Sequence, residues 1–346
     1  ACSQTAPPTP NHPSWTDNHS TNDAENSRFL TQATFGPNIS DMATVKAIGY
    51  QQWIANQIGM APTKNLPFIL DNLSADPQNP YGSSLMFNSW WKNSITAPDQ
   101  LRQRAAFALS EILVVSDTGP LSNNGRVLAD YYDTLLDNCF GNFRDILKQV
   151  TLSPAMGVYL DMRGNAKGDI STGLHPNENY AREILQLFSA GLYRTWPDGS
   201  LVLDSKGNAI PTYDQSVITG MARVFTGWTW GQALLGSGRL PTSFNPSSNY
   251  LDPMVLVPTK HELGSKILLD NVILPPAVNT NSSTTAVDPT PIYIQTTDSI
   301  NGQGTVITTP IYNQYDLNGL KDLEATLDNI MENSAVGPYI CRQLIQ

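Results

Sequence analysis

Charge is what this chain has least of: only 14 % of its 346 residues are charged, where a globular protein carries about a quarter. The shortage is greater on the basic side, 20 Lys and Arg against 30 Asp and Glu, leaving a net charge of −10. A chain of that sign cannot neutralise a phosphate backbone, so nucleic acid is excluded as a partner. Anionic membrane surfaces are disfavoured for the same reason. No run of 18 apolar residues occurs, so no transmembrane segment is expected. Cysteine and histidine are scarce too, at three and four residues, and His12, His19, His175 and His261 are scattered. No Cys/His cluster has zinc spacing, so no metal site is expected, and the sequence names no cofactor. Cys139 falls on the apolar stripe of a predicted helix and reads as a small core residue. Cys2 and Cys341 are candidates for a bridge in an oxidising compartment. Alternatively Cys2 is a lipid-bearing anchor. The opening ACSQTAPPTP has neither a basic nor an apolar leader, as expected once a signal peptide has been removed.

Asn, Thr, Ser, Gln, Pro and Gly take the place of the missing charge, a composition more typical of secreted than of cytosolic proteins, so an extracytoplasmic location is expected. Apolar residues reach 40 %, enough for a sizeable core in one large or two ordinary domains. Residues 1 to 25, rich in Pro, Asn, Thr and Ser, read as an extended arm that Trp15 pins to the body. From 26 to 346 the expectation is a single mainly α domain of eight to ten helices, with a small β-meander and a β-hairpin insertion. One helix starts near Asn26, and a second, capped by Ser40, runs to Ile58. The clearest spans Pro98 to Ser116, with Leu101, Ala105, Ala108, Leu109, Ile112 and Leu113 in phase and Arg102, Arg104 and Glu111 on its other face. Helices over Gly125 to Cys139 and from Asn142, which can cap it, come next.

The densest polar chemistry lies in LHPNENYAREILQLFSAGL, Leu174 to Leu192. Pro176 suits the first turn of a helix and Gly191 the position past its end. Tyr180, Ala181, Ile184, Leu185, Leu187 and Phe188 cover one arc; Glu178, Asn179, Arg182, Glu183 and Gln186 fill the other. Glu178 and Glu183 are the candidate acid and base, Arg182 a clamp and Asn179 a substrate contact. A structural network fits the same stripe, since Glu178 to Arg182 is an i,i+4 ion pair. The two carboxylates stand about 140° apart around the axis, so a partner from another helix, such as Glu111 or Asp161, would be needed.

Beyond Gly191 the period changes to alternation. Leu192 to Trp196, Ser200 to Leu203 and Ala209 to Thr212 form a meander joined by turns at Pro197-Asp198-Gly199 and Lys206-Gly207-Asn208. Thr212 and Gln215 open the next helix as a capping box. It ends in FTGWTWG, where Trp228 and Trp230 are candidate stacking platforms for sugars; core packing is the competing role, and Trp230 reads as the more open. HELG at His261 lacks the second histidine of a zincin motif, so a metal role is not expected there. Residues 270 to 315 hold the insertion, a hairpin around Asn301-Gly302. The last helices carry Leu320, Leu323, Leu327, Ile330 and Met331 in phase, then restart at Gly337-Pro338 and stop without a cap at Gln346, as expected of a chain cut inside a domain.

The ordered blocks RFLTQATFGP, LRQRAAFALSEILVVS, PNENYAREILQLFSAGL, TYDQSVITGMARVFTGWTW, HELGSKILL and VGPYICRQLIQ resemble the bacterial family catalogued as domain of unknown function 1800, from about Arg28 to the C-terminus. The resemblance implies a secreted or envelope-associated protein but carries no established reaction. Its most distinctive block, Glu178 to Glu183, and FTGW at Phe225 to Trp228 mark where a site is expected. Two functions are therefore carried forward. One is a binding or assembly role at the cell surface, with an envelope partner or self-assembly through the arm and the 270–315 insertion. The other is a secreted hydrolase of an extracellular polymer that uses the Glu178 to Glu183 helix.

Overall fold

A computed structural model describes residues 22–73, 80–231, 241, 243–244, 249–276, 292–298, 305–311 and 314–345. The predicted arm with Trp15 and Cys2 lies outside the described residues up to 21, as do the 277–291 and 299–304 stretches of the insertion. Among the described residues there are thirteen α-helices and three antiparallel two-stranded pairs, so the protein is mainly α with small β-hairpins. No described helix is long and apolar enough to cross a membrane. Contacts group the chain into two compact units, Ala1–Ile146 and Leu147–Gln346, where the sequence drew no boundary within 26–346.

The first unit contains α1 (Asp23–Ala33), α2 (Ile39–Ile48), α3 (Tyr50–Ile58), α4 (Leu66–Asp71), α5 (Ser83–Thr96), α6 (Gln100–Ile112) and α7 (Gly125–Asn138); α8 (Phe143–Leu152) begins in it. The helix predicted from Ser40 to Ile58 is two helices. Gly49, at φ 80°, breaks it, and Asn38 is the cap, accepting from the Asp41 N–H at 2.8 Å. Leu30, Val45 and Trp53 form the core these first helices share, with Phe29, Met42 and Tyr50 packed around it.

Arg102, predicted on the outer face of α6, is buried. Its guanidinium donates to the Leu136 carbonyl at 2.8 Å and to those of Ile58 and Met60 at 3.1 Å. It thus satisfies the terminal carbonyls of α3 and α7, which have no intrahelical partner, and the ring of Phe140 lies 4.8 Å beneath it. Asp133 of α7 does the complementary work. Its carboxylate accepts from the Asn65 backbone N–H at 2.7 Å, the Asn65 side-chain amide at 3.0 Å and the Leu66 N–H at 2.8 Å, capping α4 from a neighbouring helix. Burial pushes this carboxyl up to about 7, against the pull of those donors and of Lys64. Cys139, half-buried beside Arg102, is likewise pushed up to about 11 by burial. Cys341 is free and exposed.

The second unit contains α9 (Pro154–Tyr159), α10 (Asn179–Gln186), α11 (Gln215–Val224), α12 (Gln314–Glu332) and α13 (Val336–Ile345), with β1 (Trp228–Thr229), β2 (Val255–Leu256), β3 (Lys266–Ile267), β4 (Ile273–Leu274), β5 (Ile292–Asp298) and β6 (Thr305–Ile311). β1 pairs with β2, β3 with β4 and β5 with β6. The β5–β6 register runs from Ile292 opposite Ile311 to Asp298 opposite Thr305; the turn predicted at Asn301-Gly302 lies outside the described residues. The meander after Gly191 exists as single antiparallel bridges, Tyr193 to Pro211, Thr195 to Leu201 and Leu203 to Ala209. Three backbone bonds close it into a ring: Arg194 N–H to Ile210 at 2.9 Å, Ile210 N–H to Val202 at 3.0 Å, and Val202 N–H to Arg194 at 2.9 Å. α11 lies so close to β3 that a Cβ on Gly220 would stand 2.0 Å from the Ile267 carbonyl oxygen.

Candidate functional site

The central helix is shorter than its sequence pattern. α10 begins at Asn179, so Pro176 is outside it. The turn before it is set by side-chain amides. Asn177 accepts the Asn179 N–H at 2.8 Å, while its own backbone exchanges bonds with Asn165 at 2.8 and 3.2 Å. The C-terminal signal holds: Gly191, at φ 70°, donates its N–H to the Leu185 carbonyl at 2.9 Å. Tyr180, Ala181, Ile184, Leu185 and Phe188 are buried, as their arc requires; Leu187 is exposed.

On the polar arc the structure separates the two candidate carboxylates. Glu178 accepts from Arg182 at 2.7 Å, from the Gln215 amide at 2.9 and 3.0 Å, and from the Thr219 hydroxyl at 3.0 Å. Arg182 also donates to the Gln215 amide oxygen at 2.9 Å. Burial by itself would raise the Glu178 carboxyl, but donation from Gln215, Thr219 and Arg182 outweighs it and holds the group below its usual range. Such a carboxylate, saturated and ionised, is a fastening between α10 and α11. Glu183 is different. Its carboxylate makes no side-chain hydrogen bond among the described residues, and burial raises it despite the Arg182 charge. Its negative charge adds to burial in pushing the half-buried Tyr213 hydroxyl up to about 12. Asn179 reaches the Asp161 carboxylate at 3.4 Å, and Asp161 sits at φ 58°. Glu111, the other suggested partner carboxylate, belongs to the first unit.

Both tryptophans are inside. Trp228 is 1 % and Trp230 4 % exposed. The Arg163 guanidinium lies 4.7 Å over the Trp230 ring, and Tyr250 meets it edge-on at 4.6 Å. Trp230 is the slightly more exposed of the two, but both are buried and neither ring offers a free face for a sugar.

Sequence reasoning missed a second polar cluster, under the HELG block. Lys266, fully buried, donates to Asp322 Oδ2 at 2.6 Å and to the Gly264 carbonyl at 3.1 Å. His261 Nε2 meets the same carboxylate oxygen at 3.1 Å, and its Nδ1 meets the Thr226 carbonyl at 2.9 Å. The carboxyl of Asp322 is raised by burial but lowered more by His261 and Lys266, so it stays below its usual range. Thr226 completes a line that resembles a catalytic relay. Its hydroxyl, however, donates to the Arg223 carbonyl at 2.6 Å and accepts from the Glu262 N–H at 2.9 Å, and the residue is fully buried. No substrate can reach it, so the cluster is a lock joining the FTGW and HELG blocks to α12. The available signal was a basic residue, Lys266, inside an apolar run, but its partner lies far along the chain.

Among the described residues no group of three His, Cys, Asp or Glu could hold a metal ion. The sequence profile of the family described as Protein of unknown function (DUF1800) matches residues 28–346. No curated protein and no solved structure was found to match the chain.

Proposed function

The chain belongs to this family of proteins of unknown function, DUF1800, and on that premise we propose an extracytoplasmic assembly role, in which two copies pair through the outer face of α5. One observation carries the reading: α5 is inverted. Its buried positions are mostly polar, Ser83, Ser89, Asn93 and Ser94, with Met86 the only large apolar one. Its outer line holds Phe87, Trp91 and Ile95, at i, i+4 and i+8, exposed by 49, 61 and 75 %. Leu70 of α4, which packs on α5, and Leu73 just beyond that helix are exposed as well. Three large apolar side chains in one exposed line differ from the singly scattered apolar residues that a monomer ordinarily leaves open, and mark an interaction face.

A second copy fits this face. A twofold axis at Trp91 sets Phe87 of each copy against Ile95 of the other, a self-complementary arrangement. α5 itself carries no carboxylate, and the Lys92 ammonium is drawn aside over the Phe68 ring at 4.9 Å, so pairing along α5 desolvates little charge. Trp91 is backed edge-on by Trp90 at 5.0 Å, which itself meets Phe35 edge-on and Phe107 at a tilt, a rigid anchor of the kind that dominates interfaces. Location at the envelope is supported by the charge-poor composition. Against a hydrolase, Glu178 is engaged on both oxygens and both tryptophans are covered. One observation favours that second reading: the raised carboxyl of Glu183, without a side-chain hydrogen bond among the described residues.

Light scattering after size exclusion, at micromolar concentration, decides the pairing. The parent is expected to run as a dimer, and a Trp91→Ser/Ile95→Ser variant as a monomer with its melting temperature retained. A monomeric parent would sink the proposal. Sedimentation of that monomer with phosphatidylcholine vesicles would reassign the face to lipid.

A further inference from the structure

In the second unit, independent of α5, the lock under the HELG block brings an amine, a carboxyl and an imidazole onto one oxygen atom. Lys266 heads the apolar run SKILL and pairs with Leu274 in the β3–β4 ladder. Its side chain is 0 % and that of His261 1 % exposed, against 15 % for Asp322. An ammonium this deep has three N–H groups to satisfy. Among the described residues it meets two acceptors, Asp322 Oδ2 at 2.6 Å and the Gly264 carbonyl at 3.1 Å. His261 Nε2 faces the same Oδ2 at 3.1 Å. The ring is held in that orientation from behind: the Thr226 carbonyl, 2.9 Å from Nδ1, can only accept. Nδ1 therefore carries a hydrogen, and Nε2 is left to exchange one with Asp322.

We propose that Lys266 and Asp322 are a self-modification site, condensing to an isopeptide bond with His261 as the proton carrier. Burial raises the Asp322 carboxyl, but His261 and Lys266 lower it more, so the reactant is an ion pair. A buried pair of charges is costly, and the neutral amine and acid differ from it only by one proton moved from Nζ to Oδ2 across 2.6 Å. The Nζ lone pair then attacks Cγ. An N–C bond forms and the Cγ–Oδ2 bond breaks; a second proton passes from the nitrogen by way of His261 Nε2 to Oδ2, which leaves as water. Ammonium and carboxylate thus become one amide and one water, with nothing oxidised or reduced and no co-reactant. Fixing the two groups side by side supplies the effective concentration that a free amine and acid lack in water. The surroundings suit the product better than the reactants. The amide keeps a single N–H, for which the Gly264 carbonyl is already in place, and both buried charges are gone. The partial exposure of Asp322 gives the expelled water a way out. The bond closes into a loop the stretch that contains the 270–315 insertion, and restrains the unfolded chain as a disulfide does, in a protein whose described cysteines are free.

Mass spectrometry of the full chain, denatured and reduced, tests this on the parent itself. Its mass is expected to be one water below that of its sequence, and a proteolytic digest to yield a branched peptide joining the segments that hold Lys266 and Asp322. Lys266→Arg, which keeps a cation but cannot form the bond, is expected at full mass. His261→Gln, confirmed as folded by circular dichroism, should form the bond roughly a hundredfold more slowly. A parent of full mass overturns the proposal. So does a missing water that the digest places elsewhere, as at Asp198-Gly199, where a succinimide releases water too, or one that persists in Lys266→Arg. A His261→Gln chain that links as fast as the parent overturns the role of the imidazole.

Discussion

Replacing Asp133 by asparagine tests whether burial or hydrogen bonding controls the carboxyl that caps α4. Burial lifts that group from 3.8 to about 7. Raised in the folded state, it binds its proton more tightly there than in the unfolded chain, so its stabilisation is full at low pH and is lost as pH rises through 7. Each unit of pH within that window removes about 1.36 kcal/mol. Between pH 5 and pH 7 the loss accumulates to roughly 2–3 kcal/mol, and above pH 7.5 it levels off. The lower limit is set by solubility, since the charge of −10 at pH 7 shrinks on acidification. An asparagine in this place cannot titrate. Urea midpoints for parent and Asp133→Asn, taken at half-unit intervals, should therefore converge or diverge by that amount across the window, while every other titrating group cancels in the difference. Asparagine also turns an N–H donor toward one of the backbone donors now held at 2.7 and 2.8 Å, a fixed offset of about 1–3 kcal/mol that does not vary with pH. Parallel profiles would refute the reasoning. They would mean that the donors of Asn65 and Leu66 keep the carboxylate ionised despite its burial.

Two further substitutions separate packing from chemistry in the second unit. Gly220→Ala places a methyl 2.0 Å from the Ile267 carbonyl oxygen; backbone must move, so a loss of about 3 kcal/mol or more is expected, read as a drop in melting temperature, and an unchanged temperature would mean that α11 does not pack on β3 as described. Glu183→Gln should hold or raise the melting temperature near pH 8, because a group raised in the folded state stabilises only below its titration. A loss of several degrees would reveal a bonded carboxylate, and loss of a parental activity on a panel of polysaccharides and esters would return the function to hydrolysis.

The helices legible in the sequence are those whose apolar positions face inward. The Leu323, Leu327 and Ile330 stripe of α12 is fully buried, and Asn142 caps α8 by accepting the Arg144 N–H at 2.9 Å. α5 escaped because its pattern runs backwards, with serine and asparagine inside and tryptophan outside, so no inward apolar stripe marks it. The polar arc of α10 was visible as residues, but not as a division of labour. Whether Glu178 or Glu183 is satisfied depends on Gln215 and Thr219, more than thirty positions away. The sequence pattern put the cap of α11 on Thr212, whereas the chain path gives it to Asp214, which accepts from Ser216 and Val217. Lys266 and His261 find Asp322 some sixty residues on, a pairing no local spacing announces.

That last pairing imposes an order on the birth of the protein. Until residue 322 has emerged during synthesis, the ammonium of Lys266 has no carboxylate to meet, and drawing it into an apolar interior costs several kcal/mol. The stretch around the FTGW and HELG blocks, although made earlier, must wait open to water for α12 to arrive. A ribosome paused between those points holds a chain whose aromatic segment is already made but not yet sheltered, the interval in which a chaperone would matter most.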